Sequence, residues 1–282
     1  MREHRCPVRP IVLRVVDGVG ITATVEIGAS LRAVRARRRN VHLDAVSGLE
    51  LLEVHVLVVL RSGVFLGTRV SELAIAAGGA HIFATLNVPD GARAIVVFAH
   101  GSGSSRHSPR NRLVAADLVR YGFGAMLTDL LSAEEDAIDR STAEFRFNIA
   151  LLAERLSAAT RTLLERRDTA RLPIGYFGAS TGAAAALVAA ARAPDVVRAI
   201  VSRGGRPDLA GDALPHVRAP SLFIVGSADA IVLKLNEDAI RRIPATTELS
   251  IVAGATHLFE EPGALDEVTR LSRAWFERYL VA

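Results

Sequence analysis

Beyond residue 70, short apolar runs alternate with longer stretches in which apolar residues recur every three or four positions. Residues 72–77 and 81–88 read as two strands around Gly78-Gly79, a hairpin signal. Pro89-Asp90-Gly91 is a turn in which proline presets φ and glycine accepts a positive value. Residues 94–99 are uninterruptedly apolar, as in a strand buried on both faces of a parallel sheet. Further strands are expected over 123–128, 173–177, 197–202, 221–225 and 248–252. Helical spacing marks 111–120, 143–167 (through Phe147, Leu151, Leu152, Leu156, Leu163 and Leu164), the alanine-rich 183–192, 238–243 and 263–280. Strands alternating with helices predict the α/β class: a mostly parallel sheet with helices on both faces, entered by an antiparallel N-terminal hairpin.

Before residue 70 the pattern is weaker. Residues 11–16 and 21–27 suit two strands around Asp17-Gly18, and 49–60 suits a strand or a short helix. Residues 35–39 are a basic run with one alanine inside it. The expected domains are therefore 1–69, an N-terminal extension, and 70–282, the α/β domain. Three readings of the extension stand open: an accessory segment, an arm for an acidic surface, or a product of the chosen start.

Composition narrows the function classes. Half of the 282 residues are hydrophobic and 23% are charged, enough to build a sizeable core. The single cysteine, Cys6, excludes an intramolecular disulfide and a cysteine-rich zinc site. Of 34 basic residues 33 are arginine, with Lys234 the one lysine. Residues 1–69 carry net +5 and residues 70–282 net −1, so the larger part has no basic footprint for nucleic acid. The first twenty residues hold four arginines and no apolar signal-peptide core. Residues 49–60 are too short and too charged to span a bilayer. The expectation is a cytoplasmic protein with no metal, cofactor, nucleic-acid or membrane partner; its oligomeric state is left open.

The chemistry concentrates at Gly178-Ala179-Ser180-Thr181-Gly182, a G-x-S-x-G that follows the strand PIGYF and precedes the helix AAAALVAAA. A serine exposed on a sharp strand-to-helix turn needs small neighbours, and the helix N-terminus behind it favours a developing oxyanion. Serine also needs a base and an orienting acid. Asp229 follows the strand SLFIV and His257 follows ELSIV, so Ser180, Asp229 and His257 come in the chain order of this motif and from one sheet edge. Asp208 is an alternative acid beyond the preceding strand, and Glu260 suits a cap or surface role. The loop His100-Gly101-Ser102-Gly103-Ser104-Ser105 follows residues 94–99 directly. The amides of Ser102 and Thr181 are the candidate oxyanion hole, with His100 holding its loop through the backbone. A phosphate-loop reading of GSGSS fails because no G-x-x-x-x-G-K-[ST] follows. Arg206, past the end of a central strand, and Arg106, beside the oxyanion loop, are candidate substrate contacts for a carboxylate or phosphate. The competing assignment pairs them with Asp208 or with the acidic loop Glu134-Glu135-Asp136.

The segments FAHGSGSSRHSPRN, DLLSAEEDAIDR, YFGASTGAAAALVAAA, VSRGGRPDLAG, SLFIVGSADAIVLKLN and VAGATHLFEEPGAL resemble the α/β-hydrolase superfamily, in its dienelactone hydrolase-like branch. The resemblance covers residues 70–282. It implies the α/β-hydrolase fold, with Ser180 as nucleophile, Asp229 as acid and His257 as base. Authentic dienelactone hydrolases use a cysteine nucleophile, so the serine here argues against carrying lactone specificity over. Relatives of this branch can be joined to a phosphoribosyltransferase domain, for which residues 1–69 are too short.

The function expected is hydrolysis of carboxylic esters through an acyl-enzyme. The short crossover over 203–219 leaves no room for a large lid and favours a small soluble ester as partner. The alternative is a catalytically inactive binding module on the same fold. A third reading gives activity to the basic extension.

Overall fold

The computed structural model describes residues 65–281 and, before them, the strands β1 (Ile11–Val16), β2 (Thr22–Ile27) and β3 (Glu53–Val59). The chain divides into two compact units, Met1–Ser71 and Glu72–Ala282. In the first, β1 and β2 pair antiparallel with Ile11 opposite Ile27. There β3 pairs antiparallel with the first half of β4 (Phe65–Ala77), Glu53 opposite Ser71. The run 49–60 thus contains a strand, and β4 begins seven residues before the start expected from the sequence. The basic run 35–39 lies outside the described residues.

The second unit continues through β5 (Ala80–Pro89), β6 (Ile95–Ala99), α1 (Pro109–Arg120), β7 (Gly124–Thr128), α2 (Ala133–Thr142), α3 (Ile149–Glu165), β8 (Ile174–Ala179), α4 (Thr181–Arg192), β9 (Val197–Arg203), a 3-10 stretch (Pro207–His216), β10 (Ser221–Gly226), α5 (Ala230–Ile240), β11 (Thr247–Val252) and α6 (Ala264–Leu280). Its sheet has the order β11-β10-β9-β8-β6-β7-β5-β4. Strands β6 to β11 run parallel, and β5 meets β7 antiparallel. All six parallel strands therefore end at one edge, and the loops after them gather there.

The central strands are apolar without interruption because both of their faces are covered. Val97, Tyr176, Ile200 and Phe223 point into a layer with Leu152 and Leu156 of α3 and the alanines of α4. Val96, Phe98, Phe177, Val201 and Ile224 point into the opposite layer, with Val114 and Leu118 of α1 and Trp275 and Phe276 of α6. Period-2 alternation in each strand feeds the two layers in turn.

Two helices differ from the sequence expectation. Residues 143–167 were expected as one helix; α3 instead begins at Ile149, where Asn148 accepts from the Leu151 amide at 3.1 Å. The acidic stretch before it is not a loop but the first turn of α2. Ser132 and Glu135 form a capping box there, and Ala143 closes the helix at φ 58°. Acidic groups at a helix N-terminus are favoured by its dipole, which explains their place. The helix expected over 238–243 is the end of α5, which starts at Ala230, directly after Asp229. No helix among the described residues is long and apolar enough to cross a membrane.

Candidate active site

Ser180 sits between β8 and α4 with φ 51° and ψ −121°, a conformation that costs a non-glycine residue on the order of 1–3 kcal/mol. Its surroundings hold it there. The Ser180 amide donates to the Arg203 carbonyl at 3.2 Å, and the Ser180 carbonyl accepts from Ala183 and Arg206 amides, each at 3.1 Å. The flanking glycines are required by close approach. A Cβ on Gly178 would lie 2.4 Å from the Ala183 Cα, and one on Gly182 would lie 2.3 Å from the Ala99 carbonyl oxygen. Any larger residue would push α4 away from the sheet.

Asp229 and His257 meet at the same edge: His257 Nδ1 hydrogen-bonds Asp229 Oδ2 at 2.7 Å. The loops that carry them are tied together. Ala228 donates to the Ala255 carbonyl at 3.0 Å, Ser227 to Val252 at 2.9 Å, and the Gly254 amide to Ser227 Oγ at 2.8 Å. Gly226 lets them touch, since a Cβ there would lie 2.1 Å from the Ala255 carbonyl oxygen. Phe259, fully buried, anchors the far side of the His257 loop. Asp229 is 16% exposed and His257 39%, so the carboxylate is shielded while the imidazole faces the open side. With Nδ1 committed to Asp229, Nε2 is the free nitrogen.

The loop 203–206 joins this pair to the serine. Its backbone bonds Ser180 at both ends, and a Cβ on Gly204 would lie 3.5 Å from His257 Nδ1. Ser180 Oγ makes no hydrogen bond among the described residues. In unliganded sites the serine–histidine bond is commonly loose and tightens around substrate.

Thr181 is the first residue of α4, where the amide has no intrahelical acceptor. Ser102 lies beside it: Ser102 Oγ and Thr181 Oγ1 are 3.1 Å apart. Gly101 packs under the serine, with a Cβ there falling 3.0 Å from that of Ser180. His100 braces the loop. Its Nε2 accepts from the Leu130 amide at 3.0 Å and its Nδ1 faces the Gly101 carbonyl at 2.9 Å, which sets the Nδ1–H tautomer. Burial lowers its pKa, and the Gly101 carbonyl only partly opposes that.

The arginines divide into paired and unpaired. Arg206 makes two bonds to Asp208, at 2.8 and 2.7 Å, so the alternative acid is engaged there and not with His257. Those bonds raise the Arg206 pKa. Arg106 bonds Asp129 through its amide at 2.8 Å and through its guanidinium, which also lies 3.7 Å from Glu72. Arg110 bonds Glu260 at 2.9 Å. Arg203 is 7% exposed, and among the described residues its Nε and Nη1, like Nε of Arg106 and of Arg110, are buried without a hydrogen-bond partner. An arginine ending an apolar strand was the available sequence signal, but alternation alone does not tell burial from a rim position. Asn236 of α5, fully buried, was also missed; its Nδ2 donates to the Gly205 carbonyl at 3.0 Å.

Two clefts of about 410 Å³ lie away from these residues. One is lined by Ile174, Asp195 and Arg198 at the opposite ends of β8 and β9, the other by Val188, Leu209 and His216. Volume therefore does not mark the chemistry here; the convergence of polar groups does. No group of three or more histidine, cysteine or carboxylate side chains placed to hold a metal occurs among the described residues.

Comparison with known proteins agrees with this architecture. The model of the dienelactone hydrolase family matches residues 82–278, which include Ser180, Asp229 and His257. Two Mycobacterium tuberculosis proteins, each named "Putative phosphoribosyl transferase", are 55% identical over 212 residues, 75% of this chain and 47% of theirs. The chain thus spans about half the length of these relatives. The crystal structure of a dienelactone hydrolase from Anabaena variabilis aligns with TM-score 0.74 and 52% identity, over 76% of this chain and 99% of that one. Est1E from Butyrivibrio proteoclasticus shares the fold at TM-score 0.62 and 14% identity, over 73% of this chain and 98% of its own.

Proposed function

Because the chain belongs to the dienelactone hydrolase family, we propose that it hydrolyses carboxylic esters through an acyl-enzyme on Ser180. The observation that carries this reading is the 2.7 Å bond between His257 and Asp229, made at the sheet edge where Ser180 is held at positive φ.

The steps follow from that arrangement. Ser180 Oγ attacks the ester carbonyl carbon while His257 Nε2 takes its proton. Asp229 keeps the Nδ1–H tautomer and stabilises the imidazolium. The carbonyl oxygen, now an anion, is met by the amides of Ser102 and Thr181; one such donor is worth on the order of 10²–10³ in rate. The tetrahedral species collapses, the bond to the alcohol oxygen breaks, and His257 gives that oxygen its proton. Water then attacks the acyl carbon with His257 again as base. The acid departs and Ser180 regains its hydrogen.

The short crossover Pro207–His216 supports a small, soluble ester over a lipid aggregate. The transferase name borne by the Mycobacterium relatives belongs to proteins about twice as long as the shared region. The family match spans the positions of Ser180, Asp229 and His257 in this chain, and the ester reading rests on their geometry.

A fluorophosphonate probe tests the proposal directly. A covalent adduct on Ser180 in the wild type, absent from Ser180→Ala, together with turnover of short-chain chromogenic esters, is the expected result. No adduct and no turnover across a graded panel would instead make the chain a binding module.

A further inference from the structure

We propose that the small cleft beneath α2, on the side of Ser180 away from His257, is the acyl pocket, and that Leu131 and Leu152 limit it to a short, uncharged acyl group. The inference deepens the ester-hydrolase reading and rests on it.

The order of the sheet separates the two halves of an ester. Ser180 follows β8. Asp229 and His257 follow β10 and β11, which lie to one side of β8 beyond β9, whereas β6 and β7 lie to the other. His257 must reach the leaving oxygen to protonate it, so the alcohol belongs on the β10–β11 side. The carbonyl oxygen takes the amides of Ser102 and Thr181. The acyl chain is left with the β6–β7 side.

A cleft opens there. Ser102 and Thr181 form part of its wall, together with Leu131 from the loop after β7 and Leu152 of α3. Gly101, in the same wall, packs against the Ser180 side chain. The cleft measures about 10 Å³, against about 410 Å³ for each of the two clefts away from the site. That is space on the order of one water molecule, and so of one methyl group.

The walls are held close together. The Leu130 amide donates to His100 Nε2 at 3.0 Å, and the Arg106 amide to Asp129 at 2.8 Å, which ties the loop after β7 to the loop after β6. Leu152 belongs to the apolar layer of α3 and α4, and Leu131 packs against it, so neither can retreat without disturbing close-packed neighbours. Above them, α2 buries only Asp139 of its own residues. Polar contacts hold it down: Arg155 Nη2 donates to Glu135 at 2.7 Å, and the Phe145 and Arg146 amides donate to Asp139 at 2.8 and 2.9 Å. Asp136 and Arg146 reach the cleft but are already paired, with Arg140 and Asp139. A charged acyl group would lose water there without gaining a partner.

The test is a chain-length profile. Wild-type enzyme should prefer p-nitrophenyl acetate to the butyrate by roughly tenfold or more in kcat/KM, and to the octanoate by more still, since a single methylene can be worth that much in a fitted pocket. Leu131→Ala should raise butyrate relative to acetate by about tenfold, and Leu131→Phe should lower both. A second series, acetate esters of graded alcohols, should keep its ranking in Leu131→Ala, which general damage to the site would not ensure. The wild-type profile needs no variant to fold: octanoate turned over as well as acetate would overturn the proposal. So would an acyl profile that Leu131→Ala leaves unchanged, or a shift in the alcohol series in its place. Turnover with a flat acyl profile removes the pocket and spares the ester reading. No turnover and no fluorophosphonate adduct on Ser180 would remove the ester reading and the pocket with it.

Discussion

Asn236 Nδ2 donates to the carbonyl oxygen of Gly205 at 3.0 Å, and so links the helix that follows Asp229 to the loop that lies against Ser180. The next amide in that loop, Arg206 N, donates to the Ser180 carbonyl. A fully buried side chain that reaches neither substrate nor acid–base group thus sets the position of the strained serine. In Asn236→Ala the Gly205 carbonyl loses a buried donor, at a cost of about 1–3 kcal/mol. The expected result is a lower Tm and a kcat for ester hydrolysis reduced by roughly tenfold with little change in KM, since geometry and not binding is disturbed. Asn236→Asp should be worse, because a carboxylate cannot donate and adds a buried charge. A kcat unchanged in both would leave Asn236 with packing alone.

Ser180→Ala, His257→Ala and Asp229→Asn should each remove most ester hydrolysis, by roughly 10⁴-fold, while leaving far-UV circular dichroism unchanged. Asp229→Asn is the informative one. Asp229 Oδ2 accepts from His257 Nδ1, and an amide there can present a donor that favours the wrong tautomer. The double variant Ser180→Ala/His257→Ala should be no slower than either single variant, because the residues act together. Additive losses would mean that they do not.

Much of this site was legible because chemistry constrains small turns. G-x-S-x-G between an apolar strand and an alanine-rich helix requires the close approach seen at Gly178 and Gly182. Asp229 and His257 each follow a short apolar run, so their shared edge came from topology. Other features depended on distance in three dimensions. Gly226 is unremarkable in SLFIVGSAD, and only the neighbouring β11 loop shows why it has no side chain. Arg203 sits at the end of a strand, where alternation cannot tell a buried residue from a rim one. The boundary between α2 and α3 was missed although Ser132-x-x-Glu135 was present, because the apolar spacing of the longer helix dominated the local capping signal.

Gly226→Ala tests that close approach. The added Cβ would lie 2.1 Å from the Ala255 carbonyl oxygen, a backbone atom that cannot swing aside. The loops bearing Asp229 and His257 must therefore separate. A misplacement of about 1 Å at catalytic groups can cost roughly 100-fold, so kcat should fall by that order. Secondary structure should persist, and the loss should be larger than that of Asn236→Ala. Near-wild-type turnover would show that the two loops can part without cost to the site.

Acid should weaken the fold through His100. Burial depresses its pKa below the ordinary 6.5, so between that value and its folded value the unfolded chain binds a proton that the native one does not. Its contribution is complete above pH 6.5 and is lost as pH falls below it, with a slope approaching about 1.4 kcal/mol per pH unit. Unfolding by urea between pH 8 and pH 5 should follow that sense. In His100→Asn the protein should be less stable overall but its stability should vary less over this range. An unchanged slope would assign the acid sensitivity to other groups.

The last prediction concerns residues 1–69. A chain starting at Val70 should fold and hydrolyse esters with kcat/KM within about twofold of the full chain, the scatter of changes outside a site. The second compact unit begins at Glu72, and the part of β4 beyond that point supplies its own core residues, Leu73, Ile75 and Ala77, each almost fully buried. All of the candidate catalytic and positioning residues lie after residue 99. β3 pairs with β4 over Phe65–Ser71, so a chain starting at Val70 lacks β3 and most of the half of β4 that pairs with it, and keeps residues 72–77 whole. A strand edge freed of its neighbour can recruit another chain, so size-exclusion chromatography belongs beside the kinetic assay. A monodisperse, active product is expected. If the shortened chain were folded by circular dichroism but inactive, residues 1–69 would contribute to catalysis. If it were insoluble at every temperature, they would instead be needed to complete the sheet.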